Sequence, residues 1–326
     1  GGDGRVSPPI CPRKAAPGAA FLFDGPDTMP TPSLLTRLTP LLFVLLWSTG
    51  FIGAKLGLPH APPLGFLATR YAFVVALMAV AALWVRAPWP QGARAWGHLA
   101  VAGLLVHAVY LGGVFTGISQ GLPAGVSSLV VGLQPLLTAV GAGWVLGEAV
   151  RPKQWLGLVL GLVGVVLVLS SRLAGAGLDL QTLGHLVHLP GLPAALVALL
   201  GITAGTLYQK RYCPSFDFRT GAVAQFLPCL LVTGALAWAT EDRAIDWSSG
   251  AFVFALGWLV LVLSLGAVGL LNVLIRSGSA VNVASLFYMV PPCTAVVAWA
   301  LFGEALSPVA MVGMAIAMTG VYLARK

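Results

Sequence analysis

A pattern of 30 residues occurs twice in this chain, and its copies begin 156 positions apart, at Pro135 and Pro291. Each copy places a Gly-Glu-Ala triplet, a second proline and two glycines at the same offsets. The matching residues are Gly147, Glu148, Pro152, Gly157 and Gly164 in the first copy, and Gly303, Glu304, Pro308, Gly313 and Gly320 in the second. An internal repeat of this length in an apolar chain indicates two copies of one membrane unit, the usual construction of secondary transporters.

The composition excludes a water-soluble domain. The chain is 58% apolar and 9% charged, with a mean hydropathy of +0.92, whereas soluble domains carry about 25% charged residues. Its 40 glycines and 23 prolines are compatible with membrane helices, because neighbouring helices satisfy the freed backbone groups. We attribute the net charge of +8 to cytoplasmic loops and expect the lipid bilayer, not nucleic acid, as the surrounding partner.

The N-terminal residues 1–36 mix charges with Gly, Pro and Ala, and they are predicted to be a disordered tail. Their first methionine is Met29, which leaves open whether residues 1–28 belong to the native protein.

From Leu38 onward, apolar runs close to the ~20 residues that cross a bilayer alternate with short connections. The ten predicted spans are 38–58, 63–85, 97–119, 124–146, 154–171, 192–210, 220–240, 251–275, 280–302 and 309–324. The longest connection, 172–191, separates two halves of five spans each. The expected fold is therefore an all-α integral membrane protein with ten transmembrane helices, divided into repeats at 37–171 and 192–326.

The distribution of lysine and arginine predicts the orientation. If the N-terminus is cytoplasmic, 14 of the 18 Lys and Arg residues lie in cytoplasmic segments, as the positive-inside rule requires. Both termini are then cytoplasmic, in a multi-pass protein of the inner (plasma) membrane. Because each half has an odd number of spans, the two repeats are predicted to be inverted relative to each other.

Two segments resemble a known family. Residues Leu46-Trp47-Ser48-Thr49-Gly50-Phe51 lead to Lys55, Pro63 and Arg70-Tyr71, and Leu146-Gly147-Glu148 is followed by Gln154-Trp155-Leu156-Gly157. Together they resemble the EamA family of the drug/metabolite transporter superfamily, over residues 38–324. Tyr71 stands where phenylalanine is commoner, and the second copy has Gln225 where the first has Arg70. The resemblance implies a ten-helix exporter or exchanger of small metabolites and does not identify the solute.

Arg70 and Lys55 are the strongest candidates for substrate binding. Arg70 lies about seven residues into the second span, roughly 10 Å below the outer boundary of the membrane. A cation at that depth is energetically costly and is by default a functional-site hypothesis. An anionic group on the substrate could neutralise it, and a tie to backbone carbonyls is the structural alternative. Lys55 is three residues from the end of its span and could instead extend to the interface.

We interpret the repeated Glu148 and Glu304 as structural. Each stands just before a proline, Pro152 or Pro308, where a helix is predicted to begin and a carboxylate meets the positive end of the helix dipole. Their presence in both halves favours a scaffold role, shared with Gly147, Gly303, Pro135 and Pro291, over a proton site.

The remaining candidates for lining the transport pathway are polar or aromatic residues in the apolar runs. They are Trp47, Ser48, His107, Tyr110, Gln134, Asn272, Asn282 and Tyr288. Packing between helices is the alternative role for each of them.

Several classes of protein lack support in the sequence. The chain has no P-loop pattern, no HExxH motif and no Cys or His spacing typical of a metal site. We therefore expect no enzyme activity, no cofactor and no metal. The expected function is alternating-access transport of a small-molecule substrate, such as an amino acid or related organic solute. An integral membrane enzyme or a flippase for lipid-linked substrates is the alternative, and a homodimer is left open.

Overall fold

Every regular element in the described part of the chain is a helix. The computed structural model describes residues 34–122, 124–175, 190–213, 215–302 and 307–325, and the site lies in its compact unit, Thr39–Lys326. The α-helices are α1 (Leu34–Ser48), α2 (Gly50–Gly57), α3 (Pro63–Trp84), α4 (Gly92–Gly103), α5 (Tyr110–Ser119), α6 (Ala124–Val131), α7 (Gln134–Leu146), α8 (Pro152–Gly175), α9 (Leu192–Tyr212), α10 (Phe218–Thr240), α11 (Gly250–Trp258), α12 (Val268–Ser277), α13 (Ala280–Ser285), α14 (Val290–Phe302) and α15 (Pro308–Ala324). The all-α prediction is confirmed for these residues, whereas most of the predicted tail and of the connection 172–191 lies outside them.

Nine helical stretches among the described residues are long and apolar enough to cross a bilayer. They correspond in order to the first nine predicted spans. The tenth predicted span is helix α15, which is apolar but has only 17 residues. At 1.5 Å per residue it is about 26 Å long, slightly less than the ~30 Å hydrocarbon core. The chain is a multi-pass membrane protein, and the count of ten crossings stays a prediction.

Several spans depart from regular α-helix. Short π-helical segments, Leu104–Val109 and Leu259–Ala267, interrupt the third and eighth spans. A break at Thr49 separates α1 from α2, and the Trp258 indole donates a hydrogen bond of 2.9 Å to the Thr49 hydroxyl. The fourth and ninth spans are also divided, between α6 and α7 and between α13 and α14. Such departures in membrane helices are tolerated where the backbone is buried in protein.

The boundaries of the elements repeat along the chain. Equivalent starts are Pro63 and Phe218 for α3 and α10, Leu104 and Leu259 for the π segments, Gln134 and Val290 for α7 and α14, and Pro152 and Pro308 for α8 and α15. The first two pairs are 155 positions apart and the last two 156. The repeated Pro135 and Pro291 each lie in the first turn of a helix, where the missing N–H of proline leaves no hydrogen bond unmade.

Helices α8 and α15 pack backbone against backbone through glycine. A Cβ atom built on Gly157 would lie 2.6 Å from the carbonyl oxygen of Gly320, and one built on Gly164 would lie 2.6 Å from that of Gly313. The shift of 156 positions relates Gly157 to Gly313 and Gly164 to Gly320. The repeat therefore relates the first contact to the second, with the places of α8 and α15 exchanged. These four glycines, singled out by the sequence repeat, therefore allow a helix contact that no larger residue permits.

Side chains at helix starts hold the ends of the spans in place. The Ser307 hydroxyl accepts a hydrogen bond of 3.1 Å from the Ala310 N–H at the start of α15, as expected for an N-cap. Asp217 caps α10 in the same way and pairs with Arg219 at 2.8 Å. Burial alone would raise the pKa of the Asp217 carboxyl, but hydrogen bonds from Arg219 outweigh it and hold that pKa below its ordinary value.

The glycine contact predicts a position-specific loss of stability. In Gly164→Ala the new methyl would lie 2.4 Å from the Ala317 backbone nitrogen, so α8 and α15 must separate. We expect a loss of about 1–3 kcal/mol, seen as a lower thermal unfolding midpoint in detergent. Gly257→Ala is the matched control, because its Cβ would meet nothing within 4 Å. Equal midpoints for the two variants would contradict this packing.

Candidate functional site

A cavity brings together four of the sequence candidates: Trp47, Arg70, His107 and Tyr110. The open space among its lining residues, with the solvent at its mouth included, is about 540 Å³. Helices α1, α2, α3 and α5 and both π segments contribute to its wall. The π segments place side chains in the cavity that a regular helix would direct differently, and single π turns of this kind are frequent at functional sites.

Arg70 supplies a positive charge to this cavity. Its side chain is only 4% exposed, and its Nε donates a hydrogen bond of 2.9 Å to the Ser264 hydroxyl. Among the described residues, Ser264 is the hydrogen-bond partner of this guanidinium, and its two terminal nitrogens make no such bond. A buried guanidinium with free donors is a strong binding group for a carboxylate or phosphate.

Ser264 positions this arginine and was missed in the sequence. It is fully buried in the second π segment. It is also the one hydroxyl residue in the run 250–271. A single hydroxyl in an otherwise apolar span was the feature of the sequence that could have indicated a functional role. The contact joins the second span to the eighth, so the sequence could not show which partner the hydroxyl serves.

A second anchor holds the start of α3, from which Arg70 projects. The Glu241 carboxylate, just after α10, accepts hydrogen bonds from the backbone N–H groups of Leu64 at 2.8 Å and Gly65 at 2.7 Å. A carboxylate at a helix N-terminus also interacts favourably with the helix dipole. Arg70 lies about 8 Å further along the helix axis. Glu241 therefore fixes the depth of the guanidinium, a role that sequence analysis did not assign.

Aromatic rings and one tyrosine hydroxyl hold the first π segment. The His107 ring stacks on Phe226 with centroids 4.1 Å apart, and Tyr71 packs against the same phenylalanine at 5.5 Å. The Tyr71 hydroxyl donates a hydrogen bond of 3.0 Å to the His107 carbonyl. His107 thus lines the cavity and also packs between helices, and its place in a transport pathway stays a prediction.

Ser48 has a packing role. Its hydroxyl donates to the carbonyls of Val44 at 2.6 Å and Val290 at 3.3 Å, and its own carbonyl accepts from Thr294 at 3.2 Å. These bonds tie α1 to α14. Trp47, by contrast, lines the cavity while its ring packs against Phe43 and Phe287.

The other polar candidates lie away from the main cavity. Gln134 lines a smaller cleft with Thr206 and Lys210, and neither of its amide atoms has a hydrogen-bond partner in the part of the chain that the structure describes. The buried Tyr288 ring lies close to Gly161. Asn282 accepts a long hydrogen bond from Gln154, and Asn272 accepts one of 2.5 Å from Gln209. Asn272 and Asn282 lie toward the other end of the helix bundle from Arg70, near Lys210 and Glu148.

The Gly-Glu corner of the first half joins three elements at that end. Gly147 terminates α7 with a left-handed φ of 70°, which favours glycine. One Glu148 oxygen accepts from the Ala280 N–H at 3.0 Å, and the other lies 3.5 Å from Lys210 Nζ. Lys210 also donates to the Gly278 carbonyl. The carboxylate does meet a helix start, but that of α13 and not the one at Pro152.

Three candidates fall outside what the structure describes. Gly303 and Glu304 lie in an undescribed segment, and the Lys55 side chain is likewise not described, although its backbone lies in α2. Their predicted roles stay predictions.

Comparison with known proteins identifies the family. The sequence profile of the EamA-like transporter family matches residues 36–170 and again residues 189–325. The chain belongs to the EamA-like transporter family. Its two matched segments contain every residue of the cavity described above.

Proteins similar in sequence occur in several bacteria. An uncharacterized transporter, YvbV, of Bacillus subtilis (strain 168) is 27% identical, over 90% of this chain and 92% of its own. A "probable amino-acid metabolite efflux pump" of Salmonella typhimurium is 25% identical, over 87% and 92%. A protein of known crystal structure has a TM-score of 0.69 at 22% identity and covers 88% of this chain and 95% of its own. At that identity it shows the fold alone.

The Glu148 contacts predict a scaffold role for this carboxylate. Glu148→Gln should lower the unfolding free energy by about 1–3 kcal/mol, because Lys210 loses its counter-charge and the start of α13 loses a charged acceptor. The measurement is the thermal midpoint of Glu148→Gln, Lys210→Gln and the double variant, which reports their coupling. A fully stable Glu148→Gln protein with altered pH dependence of transport would instead make this carboxylate a coupling site.

Proposed function

We propose that this EamA-like chain is a secondary transporter that exports or exchanges a small organic solute by alternating access. The observation that carries the proposal is Arg70, a buried guanidinium with unused donors in a cavity formed by several spans. A cation at such depth is costly unless a partner neutralises it. A transported anion entering the cavity is such a partner, and its departure restores the starting state.

Two inverted five-helix repeats form the architecture in this proposal. The constant shifts between helix starts and the exchanged glycine contacts of α8 and α15 support it. When the repeat exchanges two contacts with each other, the two halves of the chain are related by a two-fold axis. In such folds one repeat moves against the other around a central site. The termini then face the cytoplasm of an inner-membrane protein.

The two ends of the helix bundle differ in a way that fits one state of such a cycle. Arg70 lines the larger of two cavities, and Lys210 lines the smaller. At the other end Glu148, Lys210 and the start of α13 are linked by hydrogen bonds and charge. We infer that this link keeps the second end closed while the first binds solute. Opening of the second end then requires Glu148 and Lys210 to separate.

The names of relatives support a metabolite as the solute. Proteins of Salmonella typhimurium and Escherichia coli (strain K12), each 25% identical to this chain, are named amino-acid metabolite efflux pumps. An amino acid or a related organic solute carries the carboxylate that a guanidinium binds best. Relatives named as transporters also favour transport over enzyme catalysis.

Reporter fusions test the proposed topology. Fusions after Arg94, Arg151 and Lys326 should report a cytoplasmic location, and fusions near Asp179 and Asp242 an external one, because cationic loops stay inside. A periplasmic C-terminus would contradict both the ten crossings and the inverted repeats.

Substitution of Arg70 tests the function itself. We expect vesicles with Arg70→Gln protein to lose at least about 90% of the flux of metabolites exported by the unmodified chain, with Arg70→Lys retaining part of it as a point charge. The exported metabolites are first identified by comparing the media of deletion and overexpressing strains.

Arg94→Gln is the matched control, because it removes the same charge from an exposed position. Flux is normalised to the amount of folded protein. Unchanged flux in Arg70→Gln would make the arginine structural, and an absence of export for any metabolite would overturn the proposed function.

A further inference from the structure

We propose that the solute is an organic anion with an apolar body and no ammonium group, so that zwitterionic amino acids are poorer ligands than their deaminated analogues. This inference rests on the proposed function and narrows its substrate class. It follows from the charges and the wall of the cavity around Arg70.

The first step concerns charge balance. Among the residues that the structure describes, those that line the cavity include Arg70 but no aspartate or glutamate. In a site of low dielectric constant, a bound carboxylate is attracted to the guanidinium, whereas an ammonium group on the same molecule is repelled. An isolated buried charge is strongly unfavourable. A monoanion therefore neutralises the site, and a zwitterion leaves one positive charge without a partner.

The second step concerns two carboxylates, those of Glu241 and Glu148, which are already engaged. Both oxygens of Glu241 accept backbone hydrogen bonds at the start of α3. Glu148 is bound to the start of α13 and to Lys210 at the other end of the bundle. Neither lines the cavity. An ammonium group entering there would meet neither carboxylate.

The third step concerns the orientation of the guanidinium. Because Nε is held by Ser264, the remaining two nitrogens present a pair of parallel donors. This fork matches the two oxygens of one carboxylate. The positioned arginine thus recognises the carboxylate end of the solute and supplies no acceptor for a second polar group.

The fourth step concerns the rest of the wall, which is mostly apolar, with the His107 ring and the Tyr110 hydroxyl as its other polar groups. Val106, Leu111, Val114, Phe115, Leu259 and Leu263 face the cavity, together with the rings of Trp47 and Tyr110. Ligand sites of this kind bury an apolar body and use a few polar groups for orientation. The structure therefore fits an aliphatic or aromatic carboxylate better than a polyol.

Two matched sets of compounds test this inference. 3-Phenylpropionate, phenylalanine and phenethylamine share one body and differ in their charged groups, and 4-methylpentanoate and leucine form the same pair with a smaller body. Binding to the purified full chain is measured by competition and by quenching of Trp47, with Trp47→Phe as the control for that signal. Counterflow in liposomes, with protein-free vesicles as the control for leakage of the acids, measures transport.

We expect each deaminated acid to bind at least about tenfold more tightly than its amino acid, and phenethylamine to show no binding. In Arg70→Gln this preference should disappear. If phenylalanine and leucine bind as tightly as the acids or more tightly, in an Arg70-dependent way, the inference is overturned. Backbone carbonyls would then hold the ammonium group, and the proposed function would still stand. Absence of binding by both acids would also overturn it, while the flux experiment on exported metabolites decides the proposed function separately.

Discussion

The whole architecture depends on one requirement: inside the bilayer, each backbone N–H and C=O must find its partner within the protein. Long helices meet this requirement over most of the chain, and the described residues contain no other regular element. The departures from α-helix are therefore informative. Both π segments, Leu104–Val109 and Leu259–Ala267, contribute to the wall of the Arg70 cavity. The backbone is irregular where the cavity is.

The buried positive charges must also find partners within the protein. Lys210 is partly buried, and a carboxylate and backbone carbonyls surround its ammonium group. Arg70 is more deeply buried, yet one serine hydroxyl is its hydrogen-bond partner among the described residues. The first arrangement is complete without a ligand and is suited to holding elements together. The second has unused donors and is suited to binding an anion, as the proposed function requires.

The sequence predicted much of this structure, because apolar length and repetition are local signals. The spans, the repeated prolines at helix starts and the glycines of α8 and α15 follow from such signals. Arg70 was recognised because a deep cation is conspicuous. The partners were not predictable, since Ser264, Glu241 and Ala280 contact residues more than 100 positions away. The carboxylate of Glu148 illustrates this limit. The sequence predicted that it meets the start of a helix, but it did not show that this helix is α13.

The central claim is that the free donors of Arg70 hold the carboxylate of the solute. A crystal structure of the full chain with 3-(4-bromophenyl)propionate tests it directly, because anomalous scattering locates the bromine and thereby the orientation of the ligand. We expect the carboxylate within hydrogen-bond distance of both terminal nitrogens of Arg70, with the ring against the apolar wall that includes Phe115 and Leu259. A ligand bound elsewhere, or an Arg70 side chain turned away to bond backbone carbonyls, would contradict the claim.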